Sequence, residues 1–405
     1  MWQKFQLSLG TYQLRYFFLI LLLFAVTEGM LIFYVPLQVE AQLGGLLSVG
    51  IILAIGNISG ILTDLVFGFV SEITDHRKFM HIAAFLSVLI LPLLLIQGSW
   101  LSFILLAAVW GARFELMFSF ASNIYLAKHA PHGRFFEVSG VAFLVRNLGY
   151  FLGPLLANLV RFHSTGLVVV SLLVILLVEG VVMYLVFNNH PGEHFTQKSH
   201  KLSLYSEYVI LKKHFTEVFP HFILSFGVAA FEAMFLIFGP PTFAAINPGL
   251  SGLLTAVGLL ANVLMPSLVV RFVEFVGPRI ALICAAFGVM AGALTVWATL
   301  NTVVLLLAIY FCFLCMVVIF VVNDASFLHT LSRLKTSEED EVISVRSMGP
   351  NFAYVIVSLL GGVLVQRAGF QAGVLASAMI LIASLMLFKL TKSNDHIRVT
   401  PKMYR

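Results

Sequence analysis

Glu28, Asp64, Arg113, Glu115, Arg146, Glu179, Glu232 and Arg346 are charged side chains set inside long apolar runs of this 405-residue chain. At hydrocarbon depth a charge costs at least about 2.5–3.5 kcal/mol, so such residues pair, face water, and mark proton or ion chemistry. Glu28 is the sharpest case. It stands in TEGMLIFYVP, Thr27 to Pro36, with no other charge between Tyr16 and Val39. At 1.5 Å per residue it lies about 20 Å of helix from Arg15. FEAMFLIFGP, Phe231 to Pro240, repeats the arrangement: Glu232, Met234 and Pro240 follow Glu28, Met30 and Pro36 at a spacing of 204 residues, half the chain. Arg146 and Arg346 form a second echo, whereas Arg113, Glu115 and Asp64 face Phe313, Cys315 and the Pro266 region in the other half.

The chemistry these residues suit is proton exchange. A carboxyl in low dielectric favours its neutral form and a neighbouring guanidinium its ionised form, and that opposition brings protonation within the cellular range. Glu28 is the expected proton-exchanging acid, Arg113 its counter-charge, and Glu232 a second acid or substrate contact, with Asp64 and Glu115 as further coupling acids. Arg113 and Glu115 are two apart and point to different sides of a helix, so they do not neutralise each other. Glu28, Arg113, Arg146, Glu232 and Arg346 are the expected cavity residues. Both halves hold an acid in their first span and an arginine in their fifth, which suggests duplicated Glu28–Arg146 and Glu232–Arg346 pairs; as static salt bridges these are the alternative to coupling. Asp64 serves equally as a structural acid. Asymmetry of the remaining charges places the coupling chemistry in the first half and an apolar wall in the second. Glu179 has no evident task beyond packing on the third span or snorkelling. His81, His129, His132 and His221 lie in loops or near span ends and read as interface residues.

The elements that position these residues follow from composition. With 60% hydrophobic residues, 11% charged and mean hydropathy +1.00, the chain is excluded from the soluble globular class. Twelve apolar runs long enough to cross a bilayer fall near 14–38, 45–70, 79–98, 100–124, 136–160, 165–188, 218–241, 250–271, 279–300, 302–323, 340–365 and 369–390. Their continuity, without alternation, excludes a β-barrel. All but five of the 24 Lys and Arg residues lie at the termini or beside the loops after even-numbered spans, so those loops and both termini are expected to be cytoplasmic. The net charge of +5 is then topology, and no nucleic-acid partner is expected. The first run is too long for a signal peptide, contains Glu28 and lacks a cleavage site, so it reads as a span. Cys284, Cys312 and Cys315 all fall in spans and read as buried, inert thiols, with no metal site. No nucleophile–base cluster and no phosphate-binding glycine loop occurs, so neither an enzyme nor an ATP-driven pump is expected.

Duplication extends beyond the acids. GLLS at Gly45–Ser48 precedes GLLT at Gly252–Thr255, AAF at Ala83–Phe85 precedes AAF at Ala285–Phe287, and VRNLG at Val145–Gly149 precedes VRSMG at Val345–Gly349. An all-α membrane protein follows, with two pseudo-symmetric six-helix bundles related by an axis along the membrane normal. The expected boundaries are 1–188 for the first bundle, 189–217 for a cytoplasmic linker, 218–390 for the second bundle and 391–405 for a cytoplasmic tail.

On these residues the chain resembles the major facilitator superfamily of secondary transporters, over essentially its whole length. The loop after the second span, GFVSEITDHRK, matches the family's cytoplasmic motif at Gly68, Glu72, Arg77 and Lys78, with Asp75 in place of a usual glycine. Glu274, Gly277 and Arg279 repeat it faintly. The resemblance implies a cytoplasmic gate there, with the acidic run Glu338–Glu341 as a partner. GYFLGP, Gly149 to Pro154, resembles the helix 5 signature of the drug–proton antiporter branch. Gly149 and Gly153 give a flat helix face and Pro154 a point of bending, which plain helix packing also explains. Arg113 stands where the family places a membrane arginine, although Leu116 and Met117 replace the residues that usually follow. The expectation is a proton-coupled exporter of a small organic molecule, monomeric, without cofactor, in the bacterial cytoplasmic membrane and working by alternating access. An uptake symporter for a nutrient or organic anion, and a non-transporting membrane sensor or partner-binding protein, are the alternatives.

Overall fold

The computed structural model describes residues 12–71, 76–96, 98–117, 135–161, 164–188, 212–331 and 339–391. These are helical, and no strand occurs among them. The first half supplies α1 (Tyr12–Leu43), α2 (Leu46–Ser71), α3 (His76–Leu95), α4 (Trp100–Glu115), α5 (Phe135–Arg161) and α6 (Thr165–Asn188). The second supplies α7 (Phe215–Ile246), α8 (Ser251–Leu264), α9 (Pro266–Val276), α10 (Pro278–Ala298), α11 (Thr302–Leu331), α12 (Glu339–Ile356), α13 (Gly362–Ala368) and α14 (Phe370–Thr391), with a π-helical turn, Val357–Gly361, joining α12 to α13. Eight described helices are long and apolar enough to span a membrane, and α8 with α9 makes a ninth as one broken span. α3 and α6 hold shorter apolar stretches, His81–Leu95 and Gly166–Val182, and with the 16-residue α4 the described helices are consistent with twelve spans.

The breaks have local causes. Proline at 266 has no N–H to give to the helix, and its ring crowds the carbonyl four residues back; the axis bends by 60° between α8 and α9. Gly277 then turns the chain at φ 85°, which favours glycine, before α10. The first span is longer than its apolar run suggests, continuing to Leu43.

The chain divides into two compact units, Met1–Gly44 with Ile55–His200, and Gly45–Ala54 with Lys201–Arg405. The first turns of α2 therefore cluster with the second unit. There Gln366 Oε1 accepts from the Leu46 N–H at 2.8 Å, capping the helix start, and Gly50 lies against the backbone of Ser358 and Gly362. Of the expected linker only its last residues, from 212, are described, and of the tail only Thr391.

Duplication is visible in how each unit packs internally. In the first, α1 lies against α5 and α6, α3 against α4 and α6. In the second, α7 lies against α12 and α14, α10 against α11 and α14, the corresponding set of pairs. The α1–α5 seam is a backbone contact. A Cβ on Gly153 would stand 2.6 Å from the Cα of Gly29, and one on Gly149 would strike Ala25. Gly349 of α12 meets the backbone of Phe222 on α7 in the same way. Around the first seam Phe17, Phe24 and Leu21 bury against Val138, Val141 and Ala142. The second unit closes on aromatic rings: Phe235 meets Phe313 and Phe370 edge-on, both at 5.7 Å, each pair adding about 0.5–1.5 kcal/mol beyond area. Outward-facing Phe275, Phe287 and Leu360 are exposed, as lipid-facing residues are. Cys312 and Cys315 are buried, but Cys284 is exposed, contrary to the expectation for all three.

Candidate functional site

The buried charges of the first unit gather on α4. Ser99 accepts from the Ser102 N–H at 3.2 Å and sets the start of this helix. Close packing on α2 sets its rotation: Gly111 abuts Gly56, and the Ser59 hydroxyl donates to the Ala108 carbonyl at 2.8 Å. Trp110 and Arg113, three residues apart, then share the face turned to α1.

Arg113 is fully buried, and every edge of its guanidinium is engaged. Its Nη1 donates to Glu28 Oε1 on α1 in a buried ion pair. Nη2 donates to the Thr27 hydroxyl at 3.0 Å, and Nε donates to the Ser87 hydroxyl on α3. The two hydroxyls are free to accept because each gives its own proton to its helix backbone, Thr27 to the Phe24 carbonyl at 2.7 Å and Ser87 to the Ala83 carbonyl at 2.8 Å. The Phe24 ring lies 3.8 Å from the guanidinium carbon, a cation–π contact. Glu28 completes its set by accepting from Trp110 Nε1 on Oε2 at 2.6 Å. Across from α6, Glu179 brings Oε2 to 3.7 Å from Arg113 Nη2.

This arrangement corrects two expectations. Glu28 takes its partners from α4, not from Arg146, so the duplicated acid–arginine pair does not form in the first half. Arg146 is half-buried on α5, its guanidinium carbon 5.6 Å from the Phe143 ring. Along the α1–α5 seam Gly149 meets Ala25 and Gly153 meets Gly29, so Arg146, on the same face as the two glycines, falls level with α1 roughly 9 Å of helix before Glu28. Glu179 is 2% exposed and does not snorkel. It joins the centre because α6 packs on both α1 and α3.

The other expected residues are dispersed. Glu115 is buried on the opposite side of α4, against Gly60 of α2. Asp64 is half-buried on α2 and Glu232 half-buried on α7. Gly68 lies within α2, and Arg77 and Lys78 open α3, but their side chains, that of Arg346, and Glu72 lie outside the described residues, as do His129, His132 and Glu338. Pro154 sits inside α5, its ring against Gly29. Glu274 and Arg279 are exposed at the turn between α9 and α10.

The second unit is less apolar than expected. His221, read as an interface residue, is fully buried, because α7 begins two turns before it at Phe215. Its Nδ1 lies 2.8 Å from Asn323 Oδ1, and Asn323 Nδ2 donates to the Ser225 hydroxyl at 3.0 Å. The edges of Phe327 and Phe388 close over the imidazole at 5.3 and 5.4 Å. No group of three or more His, Cys, Asp or Glu suited to a metal occurs among the described residues.

Comparison with known proteins places this centre in a familiar fold. The structure of the nucleoside transporter NupG superposes with a TM-score of 0.74 at 12% identity, covering 95% of this chain and 100% of that one. A bacterial homologue of the human lysosomal transporter Spinster gives 0.70 at 11% identity, covering 96% and 98%. A variant of the peptide transporter POT gives 0.70 at 15% identity, covering 96% and 95%. At these identities the likeness is one of fold. No curated protein matches the chain. The Major Facilitator Superfamily sequence pattern, however, matches residues 17–333, and the chain belongs to that family of membrane transporters.

Proposed function

We propose that the protein is a proton-coupled secondary transporter that exports a small organic molecule by alternating access, with the Glu28–Arg113 centre coupling proton to cargo. The observation that carries this reading is the fully buried guanidinium between α1, α3, α4 and α6, bound to a carboxylate. A buried pair of this kind is weak evidence for stability, since apolar packing of similar volume serves as well. Retention of ionisable groups within a membrane points instead to function.

Export is supported by the GYFLGP stretch of α5, whose Gly153 abuts Gly29, the residue after Glu28. Movement along this seam reaches the carboxylate directly. A cationic or amphipathic cargo fits better than an anion, since Arg113 is already engaged by Glu28. The protein would work as a monomer in a bacterial cytoplasmic membrane, and the Lys and Arg distribution supports both termini being cytoplasmic.

The test is proton flux in proteoliposomes on addition of cationic amphiphiles or organic anions, comparing wild type with Glu28→Gln. Cargo is expected to drive protons in the wild type and not in the variant, while the variant still binds cargo. Full coupling in Glu28→Gln would make the carboxylate structural and remove the centre from the mechanism.

A further inference from the structure

The centre holds two acids and one cation, and the two acids are bound very differently. Glu28 accepts from Arg113 Nη1 on one oxygen and from Trp110 Nε1 on the other. Both partners are donors only, so each hydrogen bond favours the ionised form of Glu28. Glu28 is thus held by a donor on each oxygen. Glu179 has the opposite surroundings. Its Oε2 is buried without any hydrogen-bond partner, and its 3.7 Å approach to Arg113 Nη2 is an ion pair without a hydrogen bond, because Nη2 donates to Thr27.

Charge leads to the same distinction. One guanidinium balances one carboxylate, and a second buried carboxylate without donors carries an uncompensated charge unless it takes a proton. The charged groups that bear on Glu179 are Glu28 on α1 and Arg113 on α4. α3 contributes the Ser87 hydroxyl to the centre, already committed at both ends. From α5 no described charged group acts on Glu179.

We infer that Glu179 is the carboxyl group of this centre that takes up and gives up a proton, while Glu28 stays bound to Arg113 and Trp110. This rests on the proton-coupled reading above and moves the exchanging proton from the first helix of the unit to the sixth. In the step itself an O–H bond forms on the Glu179 carboxylate with a proton from water and neutralises it; release returns the proton to water. When Glu179 is ionised it competes with Glu28 for Arg113, and when it is neutral Glu28 holds the guanidinium alone. Protonation of α6 thereby sets the grip between α1 and α4.

The test is pH-difference infrared spectroscopy on the purified full-length protein, read at the carbonyl band of a protonated carboxylic acid, with Glu179→Asp and Glu28→Asp beside wild type. The inference expects a pH-dependent band that shifts in Glu179→Asp, holds its position in Glu28→Asp, and disappears in Glu179→Gln. Because Glu179→Asp keeps the carboxyl group, failure of Glu179→Gln to fold does not decide the matter. A band that shifts in Glu28→Asp instead, or no pH-dependent band in wild type, overturns the assignment. Cargo-driven proton flux, measured on the same preparations, separates the two claims. A band that tracks Glu179 in a protein that moves no protons with any cargo sinks the coupled-transport reading and leaves this assignment standing. Coupled flux with a band that tracks Glu28 does the reverse.

Discussion

Replacing Arg113 with methionine tests the centre through its energetics. Methionine keeps much of the apolar stem, but removes the charge, the cation–π contact with Phe24 and all three hydrogen bonds. Glu28 would keep a single donor, Trp110, in a site with no exposure to water. Removing one member of a buried pair typically costs about 3–5 kcal/mol, because the remaining charge is left uncompensated. Arg113→Met alone should therefore lower the unfolding midpoint strongly in detergent or in reconstituted bilayers. Adding Glu28→Gln should recover most of the loss, since the neutral amide needs no counter-charge. The Thr27 and Ser87 hydroxyls keep their backbone bonds throughout, so they add little to the residual deficit. A double-mutant cycle should give a coupling above about 2 kcal/mol between Arg113 and Glu28, at the upper part of the range for residues in one network. The same cycle between Arg113 and Glu179 should give a much smaller coupling, since no hydrogen bond joins them. Losses from Arg113→Met and Glu28→Gln that simply add would refute the reasoning, for Arg113 would then not be the counter-ion of Glu28.

Trp110→Phe removes the second donor to Glu28, and a hydrogen bond to a charged group contributes about 1.5–3 kcal/mol; a matching fall in the unfolding midpoint is expected, and an unchanged midpoint counts against the bond. Gly153→Ala places a Cβ 2.6 Å from the Gly29 Cα, so α1 and α5 must separate; overpacking of this kind costs about 1–3 kcal/mol, whereas Gly140→Ala on the same helix, with nothing within 4 Å of its Cβ, should be neutral. His221→Phe strands the Asn323 amide in the second unit and should cost about 1–3 kcal/mol in thermal unfolding, with Asn323→Leu in the same chain recovering part of it.

The spans and the duplication were legible because both are written in hydrophobic runs and in short repeated strings, and neither depends on how a helix is rotated. A partner for Arg113 was legible for a similar reason: burial of a guanidinium demands an acid, and few acids lie at membrane depth. Glu28, expected from sequence as the acid for Arg113, is the one bonded to it. What sequence left open was whether Glu28 also pairs with Arg146, and the answer lies in the register of α5 along α1, fixed where Gly149 meets Ala25 and Gly153 meets Gly29. His221 was misread because its partner Asn323 lies 102 residues away and the start of α7 falls beyond the apolar run.

Glu179 shows where sequence reasoning stops for a membrane helix. Apart from this acid, α6 carries no charged residue and has no polar face. In a soluble helix a polar face would indicate which way the acid points, but here lipid and protein interior are equally apolar and the pattern carries no direction. Only the packing of α6 on α1 and α3 turns Glu179 inward, to within 3.7 Å of an α4 guanidinium that α1 and α3 already hold. The physical consequence does not depend on the cargo. A cluster of two acids and one cation is neutral only with one proton bound, so with Glu179 exchanging that proton as inferred above, a change in water access to the centre would change both its charge and the contact between α1 and α4. That dependence links a proton to helix packing through residues contributed by the first unit alone.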